Sequence, residues 1–140
     1  MEYKAEYQRW IESSAVGDEE RQELFGILDD DEAVKSRFFA PLAFGTAGLR
    51  GIMGAGINRM NIHIIRQATQ GLAELILREG GEAGKRGVVI CYDCRNHSRD
   101  FAVAAAEVMA GNGIKVYLFE GMRPTPELSF AIREYRAMAG

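Results

Sequence analysis

Two short apolar segments separated by one helix-length segment constrain the fold most strongly. The runs VVICYD (88–93) and IKVYLFE (114–120) are rich in β-branched and aromatic residues and predict buried strands. Between them, SRDFAVAAAEVMAGNG (98–113) has the pattern of a helix closed by glycine. Because strands that are apolar on both faces must be covered on both faces, the sequence predicts an α/β fold with helices on each side of a sheet.

Charged, helix-like sequence precedes this pattern. Residues 1–40 place apolar side chains at helical spacing, which predicts short amphipathic helices, the last of them ending near Pro41. We therefore expect a helical leader over residues 1–43 that packs on an α/β domain over residues 44–140. The alternating pattern would place another strand after Gly140, and two or three strands make a narrow sheet, so we expect the domain to be truncated before its last strand.

Two further helices are predicted inside the domain. Asn61 has the side chain of an N-cap for a helix that runs to about Arg78. A glycine inside a helix costs about 1 kcal/mol, so Gly71 indicates the close approach of another backbone. A last helix is predicted from Thr125, its cap, to the end of the sequence, with Pro126 at its first helical position.

The composition excludes several classes of partner. The 140 residues, 47% of them hydrophobic, suit one core. With 17 basic and 20 acidic residues, the formal charge of -3 gives no net attraction to nucleic acid or to an acidic membrane, so any anion binding must be local. No apolar run approaches the roughly 20 residues that span a bilayer, and the start has no apolar signal core. We expect a cytoplasmic protein with no nucleic-acid or membrane partner.

The cysteines and histidines carry weaker signals. Cys91 and Cys94 form a lone C-x-x-C, a spacing that redox and metal sites use. Cys91 ends a β-branched strand, which favours a small buried hydrophobe, and no second cysteine pair or histidine cluster completes a zinc site. His63 and His97 have no obvious partner in the sequence, and His63 is predicted to be a helix-surface or packing residue rather than a ligand.

A glycine-rich stretch, FGTAGLRGIMGAGINRMN at residues 44–61, raises the question of a phosphate site. Glycines let a backbone approach an anion with its N–H groups pointing inward, and an arginine adds charge and a forked donor. The candidate parts are three glycines, a hydroxyl and a guanidinium: Gly45, Gly48, Gly51, Thr46 and Arg50. The stretch is not a Walker A loop. A dinucleotide fingerprint requires a preceding strand, and GIMGAG follows no strong strand. Glycine content alone favours a simple turn.

Four segments in order strengthen the binding hypothesis. They are FGTAGLRGIMGAGINRMN, TQGLAELI, VVICYDCRNHS and GMRPTPELSFAI, and together they resemble the amino-terminal part of the α-D-phosphohexomutase family, especially its phosphoglucomutase and phosphopentomutase branch. The resemblance runs from Phe44 to Gly140, and the preceding helices are in keeping with that branch's leader. It implies that residues 44–140 form an incomplete first domain, a three-layer α/β/α unit with a mixed sheet.

The resemblance also implies a reaction. Enzymes of this family are four-domain intramolecular phosphotransferases, a kind of isomerase, of carbohydrate metabolism. A phosphoserine that carries Mg²⁺ gives its phosphate to a sugar phosphate and takes another back. Glucose 1-phosphate and glucose 6-phosphate, or the corresponding pentose phosphates, would interconvert through a bisphosphate such as glucose 1,6-bisphosphate, which also serves as the activator.

The family's serine loop and aspartate-rich metal loop have no counterpart in this sequence. The serine loop, typically Thr-Ala-Ser-His-Asn-Pro, would follow Gly140, and none of the serines present stands in that context. The resemblance therefore implies no catalytic residue and no metal ligand in this chain. We expect the chain alone to be inactive, with the remaining domains of the same enzyme as its partners.

Two sets of site residues follow from the resemblance. Arg50 matches the arginine that reaches the active-site phosphate, while Thr46 and the backbone of Gly45, Ala47 and Gly48 either line the same cleft or only shape the turn. The second set consists of Asp93, Arg95 and Arg123, and the first two of these lie just past the carboxyl end of a strand, where ligand sites of α/β folds gather. Asp93 and Arg95 either form an internal ion pair that supports the site or contact the ligand directly, and Arg123 faces the cleft.

Other classes of function stay open. The chain could be a stand-alone module that binds a sugar phosphate or another small anion, or the non-catalytic subunit of a split mutase whose second chain carries the missing domains. Truncation should also leave apolar surface uncovered, which predicts self-association.

Overall fold

Three short helices open the chain in the computed structural model, which describes residues 2–140. These are α1 (Tyr3–Glu12), α2 (Asp18–Phe25) and α3 (Asp31–Phe38). The Asp30 side chain caps α3 by accepting a hydrogen bond of 3.0 Å from the backbone N–H of Ala33. The predicted amphipathic helices are therefore confirmed, and the last of them ends before Pro41 as expected.

The rest of the chain alternates short strands with longer helices. The elements are β1 (Phe44–Gly45), β2 (Gly48–Leu49), α4 (Ile62–Glu79), α5 (Ala83–Arg86), β3 (Val88–Ile90), α6 (Ser98–Gly111), β4 (Val116–Leu118) and α7 (Thr125–Glu134). Two compact units result, one up to Ile64 and one over Ile65–Gly140, so that the division falls inside α4. The predicted division after residue 43 stays a prediction.

An aromatic cluster forms the core of the first unit. Phe38 of α3 is fully buried, and the rings of Tyr7 and Trp10 of α1 meet it edge-on at centroid distances of 5.5 and 5.8 Å. The Tyr7 hydroxyl donates to the Leu24 carbonyl oxygen at 2.8 Å, which satisfies its polar atom inside the core. The first three helices thus hold one another through apolar packing.

A parallel sheet lies at the centre of the second unit. β3 pairs with β4 in the register Val88↔Val116 and Val89↔Tyr117. Val88 packs in a cluster with Ile76 of α4 and Met109 of α6, whereas its neighbour Val89 packs with α7. Alternate side chains of a strand point to opposite faces, so the sheet has helices on both sides. The predicted α/β class and three-layer arrangement are confirmed, and antiparallel pairing is present in the separate hairpin of β1 and β2.

The carboxyl-terminal residues differ from the prediction. The last helix ends at Glu134, and Arg136 has a left-handed backbone, with a φ of 52°, that continues no helix. Ala139 then pairs parallel with Val88, and its carbonyl oxygen accepts a 3.0 Å hydrogen bond from the N–H of Val89. The final residues therefore run along β3 on the side opposite β4. The helix prediction failed there because Ala139 pairs with Val88, which is distant in the sequence, and no local pattern reveals such a pairing.

The structure tests three predicted details of the helices. The predictions for the cap of α7 and for Gly71 were wrong, and the prediction for the cap of α4 is confirmed. Pro124, not Thr125, is the N-cap of α7, and no side-chain bond caps that helix. Gly71 of α4 is exposed, and a Cβ added there meets no atom within 4 Å among the described residues, so no backbone approaches it closely. Asn61 does cap α4, since its Oδ1 accepts a 3.0 Å hydrogen bond from the N–H of Ile64.

None of the helices in residues 2–140 combines the length and apolarity needed to cross a membrane.

Gly87, which immediately precedes β3, gives a testable prediction of stability. Its φ is +72°, and an added Cβ would lie 2.2 Å from the Lys115 carbonyl oxygen. Gly87→Ala should therefore reduce the free energy of unfolding by about 3 kcal/mol or more, through backbone strain and steric overlap together. Denaturant unfolding followed by circular dichroism measures the change.

Gly113→Ala is the matched control for this substitution. Gly113 has a φ of +73°, but an added Cβ there meets no described atom within 4 Å. Only the backbone strain applies, at about 1 kcal/mol. Equal losses for the two variants would show that the contact with Lys115 does not matter.

Candidate functional site

The first half of the glycine-rich stretch forms an exposed hairpin. β1 and β2 pair antiparallel, with Gly45 opposite Gly48, and Thr46 and Ala47 make the turn between them. Gly48 has a φ of +96°, a conformation that side chains with a Cβ rarely adopt. A cavity of about 200 Å³ lies against the hairpin, lined by Ala43, Gly45, Thr46, Ala47, Gly48 and Arg50. The structure thus brings together the five residues that the sequence placed in one site.

Arg50 differs from its neighbours in having no partner. Its side chain is exposed, and among residues 2–140 no hydrogen bond or ion pair joins it to another residue. The other arginines of the first unit are all engaged: Arg9 with Glu6, Arg21 with Asp18, Arg37 with Glu23 and Arg59 with Ser36. The positive charge of Arg50 is therefore available to an anion that enters the cavity.

The second half of the stretch has a structural role that the sequence did not reveal. A Cβ at Gly54 would lie 2.7 Å from Oε1 of Glu23, and one at Gly56 would lie 2.9 Å from Cβ of Arg37. Both glycines also have positive φ values, +146° and +127°. They let the backbone pass close to α2 and α3, and they do not line the cavity beside the hairpin.

Side chains of α2 and α3 bind the backbone of this segment. Oε2 of Glu23 accepts a hydrogen bond of 3.1 Å from the Ala55 N–H, and Nη1 of Arg37 donates to the Ala55 carbonyl oxygen at 3.1 Å. Glu23 and Arg37 also form an ion pair at 2.5 Å. The buried Asn61 amide donates to the carbonyl oxygens of Gly54 and Gly56, each at 2.9 Å. The Asn61 cap was the only part of this network that the sequence indicated.

The second predicted set belongs to the second unit and consists of paired charges. Oδ2 of Asp93 lies 2.8 Å from Nε of Arg95, and Oδ1 accepts a 3.0 Å hydrogen bond from the Arg95 backbone N–H. This backbone hydrogen bond is the main reason that the pKa of Asp93 lies below its usual value. Arg123 pairs with Glu127 at 3.1 Å. The arrangement of Asp93 and Arg95 fits the internal ion pair that the sequence left as one alternative.

A second cavity lies past the carboxyl end of β3. It has a volume of about 270 Å³, and Asp93, Arg95 and the first turn of α6 contribute to its lining, whereas Arg123 does not. Open α/β sheets place ligand sites at such ends. Its wall carries charges of both signs, including Asp100 and Arg99. The shared cleft with the Arg50 hairpin that the resemblance implies stays a prediction.

The cysteines and histidines are not arranged as a metal centre. Within residues 2–140, no three His, Cys, Asp or Glu side chains are grouped so that they could hold a metal ion. Both cysteines are free, and burial is the main cause that raises the pKa of the half-buried Cys91. Nε2 of His63 lies 2.9 Å from Oε2 of Glu20, and its ring packs edge-on against Trp10 at 5.2 Å. The predicted packing role of His63 is confirmed, with Glu20 as a partner that the sequence did not reveal.

Comparison with known proteins assigns the chain to a family. Residues 41–140 match the family described as phosphoglucomutase/phosphomannomutase, alpha/beta/alpha domain I. The chain belongs to this family. The match confirms the resemblance to the amino-terminal part of the α-D-phosphohexomutases, and its segment contains both the Arg50 hairpin and the parallel sheet.

Several curated relatives agree with this assignment. The phosphopentomutase of Mus musculus is 37% identical over 142 residues, which cover 97% of this chain and 23% of the relative. The probable phosphoribomutase of Schizosaccharomyces pombe is 40% identical over 81% of this chain and 20% of its own length. The phosphoglucomutase of Staphylococcus haemolyticus is 39% identical over 74% of this chain and 18% of its own length. The chain thus spans about a fifth of these relatives, and no solved structure matches it.

The two cysteines should differ in reactivity. Cys94 is exposed, whereas Cys91 is half-buried with a raised pKa, so less of Cys91 is thiolate at pH 8. We expect iodoacetamide to modify Cys94 about tenfold faster or more, as measured by mass spectrometry with fragmentation of the peptide that carries both. In the urea-unfolded control the two rates should converge. Equal rates in the folded chain would contradict the burial of Cys91.

Proposed function

We propose that this chain is the phosphate-binding amino-terminal part of a phosphosugar mutase and that Arg50 contacts the substrate phosphate. The observation that carries the proposal is the exposed hairpin with an unpaired arginine beside a cavity of about 200 Å³, inside the segment that matches the family. The names of the relatives, phosphopentomutase, phosphoribomutase and phosphoglucomutase, support a sugar phosphate as the ligand.

The chemistry of the hairpin suits this role. A guanidinium offers a planar fork of N–H donors that can bind two phosphate oxygens at once, and it keeps its charge at all physiological pH values. The Thr46 hydroxyl and the backbone N–H of Ala47 would add donors around the same anion, and Gly45 and Gly48 would form the turn that presents them. Phosphoryl transfer depends on positioning and on stabilising charge at the phosphate oxygens, so these groups would lower the barrier without themselves reacting.

The remaining parts of the reaction are proposed for segments that this chain does not contain. A phosphoserine would be the donor and acceptor of the phosphate, Mg²⁺ would bind there, and a bisphosphate such as glucose 1,6-bisphosphate would be the intermediate. We propose that the isolated chain is inactive and that the longer protein interconverts glucose 1-phosphate and glucose 6-phosphate, or the corresponding pentose phosphates.

Arg50→Ala tests the proposal in the longer protein that carries this chain. Loss of one charge-assisted contact should lower kcat/KM by about 10- to 100-fold, because such contacts are worth about 1.5–3 kcal/mol. Coupled assays with glucose 1-phosphate and with ribose 1-phosphate measure the change and show which sugar is preferred. Arg9→Ala, which removes a paired surface arginine of α1, should leave the rate unchanged. Parental activity in Arg50→Ala would refute the role of Arg50, and no activity on either sugar in the parent would refute the mutase.

A stand-alone anion-binding module is the second candidate, because the hairpin and its cavity are complete within residues 43–50. Titration of the ¹⁵N-labelled 140-residue chain with inorganic phosphate and with glucose 6-phosphate tests it. If the module binds anions by itself, the amide signals of Gly45 and Gly48 should shift with saturation, and Arg50→Ala should abolish the shifts. Unchanged signals at millimolar ligand would exclude this candidate and leave the mutase proposal untouched.

A further inference from the structure

The two ends of the Arg50 hairpin are attached to one short segment, residues 54–60, which we call the anchor segment. On one side the Leu42 N–H donates to the Ile57 carbonyl oxygen at 2.8 Å. On the other side the Met60 N–H donates to the Ile52 carbonyl oxygen at 2.8 Å. The intervening residues, including Arg50, therefore form a loop whose base is fixed wherever the anchor segment is fixed.

The ends of this loop also lie close to each other. A Cβ added at Gly51 would lie 2.9 Å from Cδ1 of Leu42. The hairpin itself is exposed, with Phe44 at 71% exposure, so little apolar burial holds it in place. Its position depends on the bonds at its base, since no ion pair of Arg50 adds a further restraint among the described residues.

Glu23 and Arg37 hold the anchor segment at its buried centre. Ala55 is fully buried, and its N–H and carbonyl oxygen are bound by Glu23 and Arg37, respectively, at 3.1 Å each. The Arg37 carbonyl oxygen also accepts a 2.9 Å hydrogen bond from the Asn58 N–H. A buried segment without regular secondary structure needs such partners, because unpaired backbone groups there cost about 1–3 kcal/mol each.

We propose that Glu23 and Arg37 are positioning residues that fix the Arg50 hairpin through the anchor segment. Neither side chain lines the cavity beside Arg50, so they would act on the hairpin only through the backbone they hold. Helices α2 and α3 of the leader thereby gain a role in the geometry of the proposed phosphate site. The consequence for phosphate binding rests on the proposed function, whereas the coupling between the pair and the hairpin is a property of the chain alone.

Glu23→Gln is the substitution that separates the pair from the fold. Glutamine keeps the size of glutamate but replaces one carboxylate oxygen with an NH₂ donor. Because Arg37 and the Ala55 N–H bond different oxygens of Glu23, one of these two donors would then face another donor. The aromatic core around Phe38 does not include this side chain, so helices α1 to α3 should stay folded. Glu19→Gln is the matched control, since Glu19 is an exposed glutamate of the same helix with no ion pair among residues 2–140.

Hydrogen exchange of the ligand-free ¹⁵N-labelled chain tests the coupling. In Glu23→Gln, the amides of Leu42 and Met60 at the base of the hairpin, which we call the stem amides, should exchange about tenfold faster. The order parameters of Gly45 and Gly48 should fall. Exchange at Trp10 and Phe38 should not change, and Glu19→Gln should match the parent at all these positions. Unchanged stem amides in a variant whose Ala55 signal shows the lost contact would overturn the proposal.

Arg37→Lys keeps the proposal falsifiable if Glu23→Gln proves too unstable to study. Lysine keeps the charge, but its side chain is shorter, so its ammonium nitrogen stops short of the position from which Nη1 of Arg37 contacts both Glu23 and the Ala55 carbonyl oxygen. The same faster exchange at Leu42 and Met60 is expected. Stem amides that exchange as in the parent, in a variant with the parent's core, would overturn the proposal.

Phosphate titration then separates this inference from the proposed function. If the parent binds phosphate through Arg50, Glu23→Gln should weaken binding about three- to tenfold although Arg50 and its charge remain. If Glu23→Gln binds phosphate as tightly as the parent while its stem amides exchange faster, the position of the hairpin does not matter to the ligand. That result would overturn the functional part of the inference. A parent chain that binds no phosphate would exclude only the stand-alone anion-binding module, because the exchange measurement decides the coupling without a ligand.

Discussion

The backbone of Ala55 is bound on both of its polar sides by a charged pair from two different helices, and the path of the anchor segment depends on this contact. The segment around it has no regular hydrogen bonding of its own, yet Ala55 is fully buried. Buried backbone groups need partners, and here side chains supply what a strand ladder would supply elsewhere. Asn61 extends the same solution, because its one amide binds two carbonyl oxygens and its oxygen caps α4.

This arrangement explains why one stretch contains glycines with two different purposes. Gly54 and Gly56 are required by the side chains of Glu23 and Arg37, which approach them too closely for any Cβ. Gly48 is required only by the backbone of the hairpin turn, where a Cβ would meet no described atom within 4 Å. A rigid base and an open tip suit a site that must hold a charged group in place and still admit an anion from solvent.

The sequence predicted those features that depend on local pattern. The alternation of Val88 and Val89 between two apolar environments and the cap at Asn61 follow from neighbouring residues, and the hairpin residues that the sequence grouped with Arg50 line one cavity. The features that it missed are tertiary. The contact of Glu23 with Ala55 joins residues 32 positions apart, and no local pattern in α2 marks that glutamate. The parallel pairing of Ala139 with Val88 and the open surroundings of Gly71 likewise depend on what packs nearby.

The chemistry of the hairpin also bears on substrate choice under the proposed function. A guanidinium and backbone N–H groups would recognise the phosphate and would offer nothing that distinguishes a hexose ring from a pentose ring. Relatives named for pentose and for glucose phosphates are 37% and 39% identical to this chain, which agrees with a shared phosphate-binding unit. Selectivity for the sugar would then arise from segments outside residues 41–140, while the Glu23 and Arg37 pair would affect both kinds of substrate equally, since it acts on the phosphate contact alone.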